Sequence, residues 1–288
     1  MNSENLKTFV LLSETTSFTK TAELLFVAQS TVTKRIADLE KELGKQLFKR
    51  EKKSIELTDE GNIYLGYARR ILKLEETSIM EINAYSVYEH NFRIGTTNTI
   101  YECHLVPYIK NTIEHKDNVA IKVKLGHSNE LIQLLTDRMM DIVFTYVPFK
   151  KAGYFCKEFV EDRLVLVTGG DNELYPQGIN KDELKKLNYL MCNFALQDIG
   201  MYIRELFPPY YNFRFEIDNS TKLIDYLISG FGYSFLPESM VISYINSGDL
   251  KIIQLSDFNP PMIKSYVAYK QNDEFASKFI KMMEKENQ

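Results

Sequence analysis

The sequence predicts an α/β chain with a winged helix-turn-helix at its N-terminus, one long linker helix, and a larger domain of alternating strands and helices. Three observations carry this prediction. Residues 17–61, SFTKTAELLFVAQSTVTKRIADLEKELGKQLFKREKKSIELTDEG, read as two short helices around a tight turn, then a basic strand-turn-strand. From Asp59 an apolar stripe runs for roughly eight turns, with no Gly or Pro after Gly66. From Asn91 onward, short apolar or alternating runs are separated by helical patterns.

A first helix spans about Glu4 to Glu14, with Leu6, Phe9, Val10 and Leu12 facing inward. Ser17 suits the N-cap of a second helix carrying Ala22, Leu24 and Leu25. Phe26 to Gln29 make the turn. The third helix starts near Ser30, and Val32, Ile36, Leu39 and Leu43 recur at spacings of four, three and four, which buries one face. Gln29, Ser30, Thr31, Thr33, Lys34 and Arg35 cluster at its start, away from that stripe. Hydroxyls and helix N–H groups meet phosphates there, and the longer side chains reach base edges in a DNA major groove. The plainer alternative is a helical bundle with a solvated polar face. Lys49, Arg50, Lys52 and Lys53 weigh against it, because four cations fall within five positions beside the third helix. SIELT then alternates as a short strand, which makes a cationic hairpin suited to a phosphate backbone.

The helix from Asp59 reaches about Tyr85 and carries Ile63, Tyr64, Tyr67, Ala68, Ile71, Leu74, Ile79 and Ile82. A helix this long cannot bury its stripe in one small domain. It packs along the larger domain or pairs with a second copy. Next come a strand at Phe92 to Gly95, a helix at Leu105 to Ile113 with Pro107 in its first turn, and a strand at Val119 to Leu125. A helix at Leu131 to Arg138 and a strand at Asp141 to Tyr146 follow, and such alternation means a parallel sheet. Further strands are expected at Leu164–Thr168, Tyr189–Cys192, Phe213–Ile217, Gly232–Leu236 and Ser265–Tyr269. Helices are expected at Ile199–Leu206, Thr221–Ser229 and Glu274–Lys285.

The first 65 or so residues resemble the N-terminal domain of LysR-type transcriptional regulators. The residues that carry the resemblance are Leu6, Phe9, Ser17-Phe18-Thr19, Ala22, Leu25, Gln29-Ser30, Val32, Ile36, Leu39-Glu40, Leu43-Gly44, Leu47-Phe48, Arg50, Leu57-Thr58 and Gly61. Thr21 departs from the family's first alanine of a pair, and Thr33 from its usual serine. The resemblance implies a DNA-binding domain over 1–58, a linker helix over 59–90 that dimerises, and an effector-binding domain over 91–288. That last domain would have the two-lobed fold of periplasmic binding proteins, with lobe one over 91–161 and 265–288 and lobe two over 162–264. FRIG, DIVFTY and GFGYSFLP stand where the family has recurring strands, and Tyr233 and Phe235 are bulkier than usual there. The implied partners are double-stranded promoter DNA, a small-molecule effector, and further copies of the chain. Those copies would form a homodimer and, as a dimer of dimers, a homotetramer on an imperfect palindrome. RNA polymerase is left open as a partner.

Ligands of open α/β sheets bind beyond the carboxyl ends of strands. Thr96, Thr97, Asn98 and Thr99 follow FRIG and precede a helix, so they form either an anion or polar-ligand site or a plain cap and turn. His127 and Ser128 follow the strand at 119–125, and His127 either reads an anion or caps the next helix. Tyr146 at a strand end, with Asn193, Phe194 and Gln197 from lobe two, completes the expected cleft. No Arg or Lys cluster stands at these strand ends, which disfavours a highly charged ligand such as a bisphosphate.

Composition bounds the rest. Residues 1–58 carry ten Lys+Arg against eight Asp+Glu, a net +2, which leaves −6 of the chain's −4 for the other 230 residues. Positive charge is thus localised where DNA would bind. The apolar run Phe9–Leu12 is too short for a signal peptide, and no run approaches the ~18 residues of a membrane span, so a cytoplasmic protein is expected. Cys103, Cys156 and Cys192 lie far apart without CxxC spacing, which argues against a zinc site or a disulfide framework. By the resemblance a peroxide sensor of the family would use two reactive cysteines in lobe two, and only Cys192 lies there, so no disulfide switch is expected. GxSxG, HExxH, GxxxxGK[ST] and GxGxxG are all absent, so neither catalysis nor a cofactor is expected. The alternative function is a constitutive or architectural DNA-binding regulator with no small-molecule effector.

Overall fold

The computed structural model describes residues 2–50, 55–83, 88–192 and 197–286. The chain divides into two compact units, Met1–Tyr85 and Ser86–Gln288. In the first, helices α1 (Ser3–Thr15), α2 (Phe18–Leu24) and α3 (Gln29–Leu43) precede a hairpin of β1 (Phe48–Arg50) and β2 (Ile55–Leu57), then helix α4 (Asp59–Asn83). Ser17 caps α2 as expected, accepting from Lys20 N at 3.3 Å. Gly44 ends α3 in the left-handed conformation that a residue without Cβ adopts freely. Leu6, Phe9, Leu12, Ile36, Leu39, Leu47, Phe48 and Ala68 form one core. Thr21, where an alanine is usual, is fully buried, but its hydroxyl bonds Ser17 O at 2.8 Å and the Thr15 hydroxyl at 2.6 Å. The extra oxygen is therefore satisfied rather than stranded.

Two devices fix the hairpin against the helices. Glu40 on α3 accepts from the Leu47 and Phe48 amides at 2.8 and 3.2 Å. Thr58 donates to Gln46 O at 2.7 Å and accepts from Gly61 N at 2.9 Å. Position 61 admits only glycine, because a Cβ there would run into the Leu47 carbonyl oxygen.

The long stripe on α4 divides in two. Tyr64, Leu65, Ala68, Ile71 and Leu72 pack on the core of their own unit. Ile63, Tyr67, Ile79, Met80 and Ile82 stay exposed. Ile71 is therefore half-buried against its own unit's core, whereas the stripe reads in sequence as one continuous surface.

The second unit holds two half-structures. The first uses β3 (His90–Thr96), α5 (Asn98–Ile100), a π-helical segment Tyr101–Leu105, α6 (Val106–His115), β4 (Val119–Leu125), α7 (Ser128–Thr136), β5 (Ile142–Thr145) and β6 (Tyr154–Asp162). The chain then crosses to β7 (Leu164–Gly169), α8 (Lys181–Leu184), β8 (Leu190–Cys192), α9 (Gln197–Glu205), β9 (Phe215–Ile217) and a 3-10 turn at Ser220–Lys222. Helix α10 (Leu223–Ile228), β10 (Ser234–Pro237), α11 (Glu238–Ser247) and β11 (Leu250–Ile252) complete the second half, and β12 (Ile263–Lys270) with α12 (Glu274–Glu286) returns to the first.

The first sheet has order β4-β3-β5-β12-β6. Its β4-β3-β5 side is parallel as alternation predicts, whereas β12 runs antiparallel to both β5 and β6. The second half has an antiparallel β10-β7-β11 sheet and a parallel β8-β9 pair, so a wholly parallel sheet is not what forms. Bulky Tyr233 and Phe235 are accommodated there. Asn172 Nδ2 donates to the Tyr233 hydroxyl at 2.7 Å, and the Phe235 amide donates to the Tyr189 hydroxyl at 3.0 Å. Each half has its own core, and Tyr146 packs against both.

Candidate nucleic-acid interface and ligand cleft

The start of α3 presents Gln29, Ser30 and Lys34 as exposed side chains, with Thr31 and Thr33 half-buried. Its N-cap is Ala28, so the cap residue supplies no side-chain acceptor to the first-turn N–H groups. A helix end in this state carries partial positive charge and free donors, which suits a phosphate. Thr33 Oγ1 donates to Gln29 O at 3.1 Å. Arg35 is engaged within its own unit. Its Nη2 lies 3.0 Å from Glu4 Oε2 and its Nη1 donates to Thr8 Oγ1 at 3.2 Å, which holds the half-buried guanidinium on α1. In the hairpin, Arg50 pairs through its backbone with Ile55, while Lys52 and Lys53 lie outside the described residues. Phe26 is 95% exposed in the turn, with φ +54°, and sequence reading treated it only as turn.

In the second unit a cavity of about 290 Å³ opens between the two halves. Thr97, Asn98, Thr99, Leu125, Gly126, His127 and Tyr146 form one wall, and Asp218, Asn219 and Ser220 the other. The first wall sits at the carboxyl ends of β3, β4 and β5, where the topology leaves helix starts and strand ends together. Thr97, Asn98, His127 and Tyr146 are thus brought together. Thr96 and Ser128 are not in the wall. Thr96 is still within β3, fully buried, and its hydroxyl donates to Thr97 O at 3.1 Å. Ser128 is buried and its Oγ accepts from Tyr146 N at 3.2 Å, so it positions Tyr146 rather than a ligand. Asn193 and Phe194 lie outside the described residues.

His127 is the N-cap residue of α7 by its backbone, but its side chain makes no capping bond, so the imidazole is left exposed at the cavity. Burial pushes the Tyr146 phenol well above its usual range, with the Thr99 and Thr97 hydroxyls pulling the other way, so it presents a neutral hydroxyl. The two walls already touch. Asn98 Nδ2 donates to Asn219 Oδ1 at 3.1 Å and to Thr221 Oγ1 at 3.0 Å, and the Thr99 and Ser220 hydroxyls are 2.9 Å apart. The second wall escaped sequence reading, although its signal is of the same kind as the first. Asp218-Asn219-Ser220-Thr221 is a polar run directly after the strand at 215–217, as Thr96–Thr99 is after FRIG. The cysteines are free, and burial pushes the Cys103 thiol up to about 11 and that of Cys192 to about 12, which keeps both protonated.

Comparison with known proteins agrees with this architecture. Residues 3–62 match the bacterial regulatory helix-turn-helix protein, lysR family, and residues 87–287 match the LysR substrate binding domain. The HTH-type transcriptional regulator HdfR of Yersinia pestis (strain Pestoides F) is 31% identical over 156 residues, 54% of this chain and 53% of that protein. The chain thus spans about half the length of the relatives it matches. Among solved structures, CbnR, a LysR family transcriptional regulator, has a TM-score of 0.68 at 17% identity, covering 99% of each chain. DarR of Vibrio fischeri, solved in complex with DNA, has a TM-score of 0.57 at 19% identity over 98% of each chain. At such identities the likeness is one of fold. Fold and site together define a helix-turn-helix protein that carries a cleft-bearing α/β unit later in the chain. The chain belongs to the LysR family.

Proposed function

We propose that this chain is a sequence-specific DNA-binding transcriptional regulator, with α3 in the major groove and the cationic hairpin along the backbone. A small molecule bound between the two halves of the second unit controls it. Over 1–58 the chain binds promoter DNA, over 59–90 it dimerises, and over 91–288 it senses the effector. The working form is a homodimer or a dimer of dimers, and a DNA target places it in the cytoplasm. The observation that carries the reading is the cavity whose walls come from both halves. A ligand touching both walls has a different affinity for each arrangement of the halves, which is the requirement for shifting their equilibrium.

The test is a metabolite thermal-shift screen on the full chain, followed by a reporter dose-response with the compound found. A ligand specific to the folded protein raises the melting temperature. His127→Ala should reduce inducer sensitivity roughly ten- to a hundredfold where a charge-assisted bond is lost, with basal DNA affinity unchanged. Thr97→Val should do the same, but it also removes the hydroxyl that accepts from Ile100 N, so some loss of stability accompanies it. Unchanged sensitivity in both variants would place the site elsewhere.

The bonds already joining the walls favour a second reading, a constitutive or architectural regulator whose halves are latched without a ligand. Thr99→Val with Ser220→Ala separates the two. An unaltered operator affinity and an empty screen support the latched reading, and a shifted basal affinity supports a cleft that controls DNA binding.

The hairpin should supply non-specific affinity. Neutralising Lys52 and Lys53 should flatten the log-log salt dependence of DNA binding by roughly 0.9 for each phosphate no longer neutralised. An unchanged slope with collapsed sequence preference would make these lysines base readers instead.

A further inference from the structure

Among the described residues the cleft wall carries one carboxylate, and its one basic side chain is the His127 imidazole on the opposite side. Asp218 is its only acidic residue, and no Lys or Arg lines it among the described residues. Asp218 follows β9 at its carboxyl end and is exposed, and among the described residues no ion pair engages its carboxylate.

The neutral groups point the same way. Asn98 spends its Nδ2 on Asn219 and Thr221 across the cleft, which leaves its Oδ1 as an unspent acceptor. The Tyr146 hydroxyl already bonds to the Thr99 and Thr97 hydroxyls, so a remaining lone pair is what it offers a ligand. The wall therefore offers a carboxylate and a carbonyl oxygen, with no Lys or Arg among the described residues to compensate them and His127 across the cleft as its one basic group. Such a wall pairs with ammonium and hydroxyl donors and repels carboxylates and phosphates. The cavity of about 290 Å³ equals roughly ten liquid-water volumes, the size of a single small ring or a short chain.

We propose that the cleft takes a small hydroxylated amine, an amino alcohol or amino sugar, with its ammonium group on Asp218 and its hydroxyls on Asn98 and Tyr146. This rests on the reading of the cleft as the effector site.

The experiment measures binding to the full chain by calorimetry and thermal shift at pH 7. It uses three matched trios that differ only in charge type: ethanolamine, ethylene glycol and glycolate; glucosamine, glucose and glucuronate; putrescine, butanediol and succinate. In at least one trio the amine should bind roughly ten- to a hundredfold more tightly than its neutral and carboxylate partners. Asp218→Asn, an isosteric change at an exposed position, should abolish that margin without lowering the melting temperature of the free protein. Asp218→Lys should turn the preference toward the carboxylate. A carboxylate preferred by the wild-type chain, or an amine preference that survives Asp218→Asn, overturns the proposed ligand class. If such binding is still lost in His127→Ala, the cleft remains the effector site and only the class is wrong. No binding by any member of any trio overturns the proposed ligand class and leaves the effector reading to the metabolite screen, whereas binding indifferent to both variants counts against the cleft as the small-molecule site and removes both readings.

Discussion

Gln29→Ala is expected to weaken operator binding by about 1–3 kcal/mol, roughly five- to 150-fold, with little effect on binding to unrelated DNA. Gln29 is the first residue of α3, its side chain is exposed, and a glutamine amide offers the paired donor and acceptor that a base edge presents. Lys34, one turn further on and also exposed, should give a loss shared between specific and unrelated DNA if it meets phosphate. The measurement is fluorescence anisotropy with a cognate promoter fragment and a scrambled one at fixed salt. A specificity ratio that stays at the wild-type value in a Gln29→Ala, Ser30→Ala variant would remove α3 as the reading element.

Arg35 provides the contrast. Its guanidinium is committed to Glu4 and Thr8 on α1, so Arg35→Ala should first cost stability, about 1 kcal/mol for a partly exposed ion pair and hydrogen bond. DNA affinity per folded molecule should change less than in Gln29→Ala. A chemical denaturation midpoint measured beside the anisotropy separates the two effects. The reverse pattern, intact stability with lost affinity, would show that Arg35 leaves α1 to reach the DNA.

These cases show what was legible in the sequence. Local periodicity located α1, α3 and α4, because a stripe at helical spacing needs only a core to face. It could not say what covers each part of a stripe. Arg35 is adjacent to Lys34 in sequence, yet its partners lie 27 and 31 positions away on α1, and only packing brings them close. The stripe of α4 likewise read as one surface, although Ile71 belongs to its own unit's core and Ile79 to no core. Strand β6 was missed for a different reason. Lys157, Glu158, Glu161 and Asp162 interrupt its apolar pattern, as is common on an edge strand, and β6 is at the edge of its sheet. The cleft was half legible. Polar runs after strands mark it, and the first wall was found that way. The second wall lies about 120 residues further along, and only the fold places Asn219 beside Asn98.

The largest effect is expected at the exposed end of α4. Ile79→Glu with Ile82→Glu should abolish the homodimer. Ile79 and Ile82 are 54% and 82% exposed in the single chain, with Met80 beside them, and none packs on the core of its unit. Three large apolar side chains within one helical turn are poorly placed in water, and a second copy of the same helix would cover them. Each side chain buried in such an interface contributes about 1.5–3 kcal/mol, and two-fold symmetry counts every substitution twice. Four buried carboxylates facing one another would add their desolvation cost. Ile71→Glu is a poor substitute, because it damages the core that holds α3 and would lower DNA affinity with or without a dimer. The measurement is light scattering across a concentration series, with melting temperature as the check on folding. Loss of the dimer should also remove the cooperative occupation of two half-sites and leave each half-site bound weakly and alone. A folded variant that remains dimeric would move the interface away from this end of α4, with the exposed Ile63 and Tyr67 at its other end as the next surface to substitute.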